Sequence, residues 1–263
     1  MSAPPSSLAE LFPDGDFRFH LTLRRSEPEV FFRPQDSSGE ILAERSRWIV
    51  AEPERYAAMG AGGEPVRAEF AAMATGWGVP CGSTIESLGV ALEPDILLLS
   101  PDGDGRFRLR GGALCFPTGW ALEEKLGHTL DFIHGAVPGL NAALASPIQQ
   151  FLSKLRPGVA FLRDNWGITA TDELNLHPGR QLPRPTAPVS LARLWLRVEH
   201  QALAALPQSK GIVFGIRIGL HRLDTVAQTP AGQGLRRALA SMPAEMAAYK
   251  HLDAIRAKVI DLL

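Results

Sequence analysis

The chain has 263 residues, a formal net charge of -1 and an apolar content of 45%, enough to bury a core in one large domain or in a domain with helical additions. This charge balance argues against nucleic acid or a membrane surface as partner, no apolar run reaches membrane-spanning length, and the start MSAPPSSLAE shows no basic region followed by an apolar core. The two cysteines, Cys81 and Cys115, form no CxxC, which argues against an iron–sulfur or cysteine-ligated zinc site and fits a reducing, cytoplasmic setting.

Residues 1–16 are rich in Pro, Ser, Asp and Gly and read as a loose lead-in. Phe17 to Leu23 alternates apolar and polar residues, predicting a half-exposed strand with His20 on its polar side. Gly39 to Tyr56 reads as one or two helices broken at Pro53, and Gly60 to Gly63 as a linker. Pro65 to Trp77 reads as a helix with Phe70 and Met73 inward, and Thr84 to Leu92 as a shorter one. Asp95 to Ser100 is a buried strand, too short between Pro94 and Pro101 for a helix. PDGDG then makes a hairpin turn. Its Asp102 and Asp104 resemble a piece of a calcium loop that lacks the other ligands. Arg106 to Phe116 is the return strand.

Pro117, Thr118 and Gly119 break that strand. Helical spacing follows: Leu122, Leu126, Leu130 and Ile133 share one stripe, with Glu124, His128 and Asp131 opposite. Gly135 and Pro138 end this helix just after His134. His134 therefore stands on the inward side of a last turn. It is either a C-cap, favoured by the helix dipole, or an axial ligand of a metal or haem. Cys115 ends an apolar strand and reads as a small hydrophobe before it reads as a thiolate ligand.

A second helix is expected from Pro147 to Leu155, then strands over Val159 to Thr169, Leu191 to Gln201 and Gly211 to Leu220. Helices close the chain from Ala231 to Ala240 and from Pro243 onward. Two strands, helices and three more strands give an α+β class: a PAS-like antiparallel sheet with helices on one face. The division is residues 1–92 as an extension, 93–222 as the core and 223–263 as packed C-terminal helices.

Arg163, Arg197 and Arg217 each lie in a strand and need an anion. Glu199 shares the face of Arg197 and can pair with it; a haem propionate is the other option. Glu199 is also the best candidate to hold a cationic amine. Gly215 and Gly219 mark a close approach, by a ligand edge or by a packed helix. His177 reads as an exposed loop residue, His200 as a satisfied core histidine, and His221 and His251 as surface. No GxGxxG, Walker loop, GxSxG or HExxH is present.

CFPTGW, EKLG and IHGAVPG, followed by FLRDNWGI, LRVEHQALAALPQSKGIVFGIRI and MPAEMAAYK, resemble the alpha subunit of haem-dependent oxidative N-demethylase and its relatives, over roughly residues 10 to 250. The chain departs from that pattern at Ala136 and His200. The resemblance implies a haem b protein and a pocket role for the segment of Arg163 and Trp166; with the residue reading above, the candidate set is His134 as metal ligand, Lys125, Arg197, Arg217, Trp166 and Gly215 around the cofactor, and Glu199 and Arg163 as catalytic residues. It implies oxidation of a small methylated amine to amine and formaldehyde with O2, fed by a separate NADPH, flavin or iron–sulfur reductase. A non-catalytic haem-PAS sensor is the alternative.

Overall fold

The structure, a computed structural model, describes residues 8–12, 16–18 and 23–263. Residues 19–22 of the expected strand Phe17 to Leu23, with His20, lie outside that set. Seven described strands form one antiparallel sheet: β1 (Arg24–Ser26), β2 (Ala57–Met59), β3 (Asp95–Pro101), β4 (Phe107–Ala113), β5 (Ala160–Thr169), β6 (Trp195–Ala205) and β7 (Ile212–Arg222). Their order is β1-β5-β6-β7-β3-β4-β2, so β7, the last strand in the chain, is central. The described helices are α1 (Pro28–Phe32), α2 (Glu40–Ala51), α3 (Pro53–Tyr56), α4 (Glu64–Gly76), α5 (Ile85–Ala91), α6 (Leu130–His134), α7 (Leu140–Ser153), α8 (Leu223–Ala227), α9 (Pro230–Ser241), α10 (Ala244–Tyr249) and α11 (Arg256–Leu262). None of them is long and apolar enough to cross a membrane.

Strand register fixes two faces, because side chains alternate with a period of two. Leu162, Asp164, Trp166 and Ile168 of β5 share the first face with Val198, His200 and Ala202 of β6 and with Gly215, Arg217 and Gly219 of β7. Helices α1–α5 cover one end of it, where Phe32, Phe70 and Leu88 pack with Ile96, Leu98 and Val213. Helices α8–α11 cover the other end, where Leu235, Leu239 and Met246 meet Ile168, Leu196 and Val198. The second face carries Leu97, Leu99, Leu109, Ile212 and Ile216 under Leu122, Leu152 and the half-buried Leu130, Ile133, Ile148 and Phe151.

Helices thus cover both faces, not one as expected. The run Ile96–Leu99 explains why: all four side chains are buried and successive ones point to opposite sides, so β3 needs cover on each.

The amphipathic helix expected from Leu122 to His134 does not form as one piece. Residues 123–127 make turns and Gly127 takes φ +81, a left-handed conformation that ends a helix. Backbone bonds from Gly127 N to Leu109 O and from Leu109 N to His128 O tie this stretch to the edge of β4 instead. Thr129 then caps the five-residue α6. Helix α7 starts at Leu140, seven residues before the expected Pro147, which lies inside it. Strand β2, absent from the sequence reading, pairs with Gly111–Ala113 of β4. Leu191 to Arg193 is a short 3-10 turn, so β6 begins at Trp195.

Candidate functional site

Cross-strand pairing sets Arg163 beside Gln201, Asn165 beside Glu199, and Gly167 beside Arg197. All six are on the second face, on the side that α6 and α7 approach. Helix α7 is apolar along Leu140, Leu144, Ile148 and Phe151, yet within it only Leu152 is fully buried. A Cβ built on Gly167 would meet nothing within 4 Å. The polar residues of β5 and β6 therefore face a loosely seated apolar layer.

His134 is half-buried at the end of α6, and its ring has no hydrogen-bond partner among the described residues. Burial, then the nearby Arg163 guanidinium, push its pKa below the ordinary histidine value, against a weaker pull from Asp131. The imidazole is neutral at neutral pH, the form that ligates metals. Among the described residues the Arg163 guanidinium has no hydrogen-bond or ion-pair partner. Burial lowers its pKa, while Glu199 and Asp164 pull it back up. An unpaired, desolvated guanidinium calls for an anion.

Glu199 is 8% exposed. Its Oε2 accepts from Asn165 Nδ2 at 3.2 Å and from Gln201 Nε2 at 2.8 Å, and its Oε1 accepts nothing. The expected ion pair with Arg197 is not formed. Arg197 donates instead to Thr118 Oγ1 at 2.9 Å, to the Phe116 and Leu174 carbonyls at 2.8 Å each, and to the Glu173 carbonyl at 3.3 Å. It clamps the CFPTG turn to β6, and burial pushes its pKa down to about 10.

The end of α10 brings two residues that the sequence reading missed. Lys250 Nζ donates to the Trp166 carbonyl at 2.6 Å and lies 5.3 Å from that ring's centroid. Burial pushes its pKa down to about 8, with Glu199 opposing. Burial and then Glu199 raise the pKa of the Tyr249 phenol. Gln201 was also missed, although it lies two residues beyond Glu199 and so shares its face. The quoted segment MPAEMAAYK contains Tyr249 and Lys250, but only the fold shows what they stand beside.

The remaining expected residues lie elsewhere. Gly215 is on the first face, where a Cβ would meet Phe31 at 2.6 Å and Phe32 at 2.7 Å, so the close approach is by α1. Arg217, also there, pairs with Glu93 at 2.5 Å and donates to the Phe31 and Arg33 carbonyls. Trp166 points to that face as well and meets Phe12 edge-on at 5.2 Å. Lys125 lies in the turn before α6, with Nζ 5.8 Å from the Phe132 centroid. Cys115 is fully buried and its thiol is pushed up to about 12, which keeps it protonated. His128 stacks on Phe132 at 3.9 Å. His177 is buried at 5% exposure, where an exposed loop residue was expected; it meets Glu123 at 3.1 Å and accepts from Gly179 N.

Among the described residues no group of three or more His, Cys, Asp or Glu side chains could hold a metal ion. A haem iron asks the chain for few side-chain ligands, and a half-buried neutral imidazole near the Arg163 guanidinium fits that requirement.

Residues 53–260 match the model of a protein family described as haem-dependent oxidative N-demethylase, alpha subunit-like. The chain belongs to that family. The match to this oxidative N-demethylase alpha-like family starts at α3 and runs into α11. It begins later than the resemblance over roughly residues 10 to 250 suggested, and it includes His134, Arg163, Glu199 and Lys250.

Proposed function

We propose that this alpha-like chain binds haem b between the second sheet face and α6–α7, and oxidatively demethylates a small methylated amine with electrons from a separate reductase. The observation that carries the reading is that the Arg163 guanidinium acts on the His134 imidazole, and Glu199 in turn on Arg163, over one face of β5 and β6. The strand order supports a PAS-like reading: β7 lies between the hairpin β3–β4 and the pair β5–β6.

In this reading His134, kept neutral by burial and by Arg163, would be the side chain that holds the haem iron. Arg163 would neutralise a haem propionate. Glu199 offers Oε1 to a cationic amine while Asn165 and Gln201 hold Oε2, fixing the carboxylate's orientation. The apolar stripe of α7 limits water. Haem, when bound and reduced, would supply oxygen chemistry at the carbon beside nitrogen, releasing amine and formaldehyde. The sequence has neither GxGxxG nor CxxC, which supports electrons arriving from another protein.

The test is haem titration of the purified chain followed by formaldehyde assay. One haem per chain with a Soret band is expected, and His134→Ala shifts or abolishes that band while His128→Ala does not. Formaldehyde should appear only with reductant, O2 and a methylated amine together. Glu199→Gln should raise KM or lower kcat with an unchanged melt. Haem that binds O2 without yielding formaldehyde from any methylamine would support the sensor reading.

A further inference from the structure

His200 and His221 face each other across a glycine on the first sheet face, away from the site above. Strand register places His200 on β6 beside Arg217, and His221 two residues beyond Gly219 on β7. A Cβ built on Gly219 would lie 3.3 Å from Nε2 of His200 and 3.3 Å from Nε2 of His221. Both ring nitrogens therefore lean over a strand position that has no side chain. Among the described residues neither Nε2 has a hydrogen-bond partner.

The opposite nitrogen of His200 is engaged. Nδ1–H donates to Asp164 Oδ1 at 2.7 Å, while Asp164 Oδ2 takes Arg24 at 2.7 Å. A carboxylate on Nδ1 fixes the tautomer and leaves the Nε2 lone pair outward, the arrangement found behind metal-ligating histidines. Neither ring is sealed in the core, so an ion has access.

We propose that His200 and His221 form a two-imidazole site for a divalent d-block cation such as Zn2+ or Cu2+, with water in the remaining positions. Imidazole nitrogen suits these ions, with nitrogen–metal distances of about 2.0–2.1 Å for zinc. Small rotations of the two rings toward the open position above Gly219 close the chelate. The pKa of His221 is lowered by burial and then by His200, so its proton is not a strong competitor at neutral pH. The proposal does not depend on haem.

Zn2+ titration by calorimetry on tag-free protein tests it. One ion per chain is expected, with affinity lowered about 10–100-fold or more by His200→Gln or His221→Gln, and unchanged by His134→Ala. Gly219→Ala, which sets a methyl between the rings, should weaken binding without removing a ligand. If a histidine variant fails to fold, electron paramagnetic resonance of the wild-type protein with one Cu2+ decides: coupling to two nitrogens supports the site. No binding, or full affinity in both histidine variants, overturns it.

Discussion

Asp95 holds the Arg45 guanidinium through Oδ1, in an ion pair with neither side chain exposed to solvent. The same carboxylate accepts the backbone N–H of Cys115 at 2.6 Å and of Phe116 at 3.0 Å. One buried charge pair thus anchors the first half of CFPTG. Asp95→Asn leaves Arg45 uncompensated in the core and is expected to cost about 3–5 kcal/mol, read by urea denaturation. An unchanged midpoint would mean that the pair is not ionised.

Arg197 anchors the second half of that turn. A lysine has a point charge where arginine has a planar fork, so Arg197→Lys loses several of the carbonyl contacts. The expected cost is about 1.5–3 kcal/mol for each charged hydrogen bond lost. Haem stoichiometry should survive in whatever fraction stays folded. A stable variant with reduced haem uptake would instead give Arg197 a cofactor role.

Gly215→Ala separates the two faces. Its methyl would collide with the Phe31 and Phe32 rings, which α1 holds in place, and overpacking of this kind costs about 1–3 kcal/mol. A lower melting temperature with an unchanged Soret band is the expected result.

Lys250 sets an alkaline response. Its pKa falls from 10.5 to about 8 in the folded chain. Between those values the unfolded chain holds the proton and the folded chain does not, so this residue's contribution to stability rises with pH across that window. Below about 8 both states are charged and the burial penalty is felt in full. Lys250→Met should remove the rise, leaving a flatter stability profile from pH 8 to 10.5 by denaturant titration.

Much of the sheet is legible in residue order. Alternation marks β5, β6 and β7, and the prolines around ILLL bound β3. Face assignment is less legible. Arg163 and Asn165 have the opposite parity to Trp166, which the sequence states outright. Gly215, however, can be placed only once Glu199 is known to pair with Ile218, and cross-strand register leaves no local trace. The split helix before His134 was hidden for a similar reason. Leu122, Leu126 and Leu130 keep helical spacing, but Gly127 hands its backbone to Leu109, eighteen residues earlier in the chain. Lys250 was invisible because its partners, Trp166 and Glu199, lie far away in sequence.

That exchange between Gly127 and Leu109 also determines how the molecule meets its neighbours. On the outer side of β4, Gly111–Ala113 are paired by β2, Arg110 O is taken by Gly60, and Leu109 is bonded to residues 127 and 128. Among the described residues, this side of β4 has no run of free donors and acceptors on which another chain could add a strand. Concentrated protein should resist fibril-like growth from that side. A redox partner approaching there would have to recognise side chains and shape, a contact suited to brief encounters and ready release.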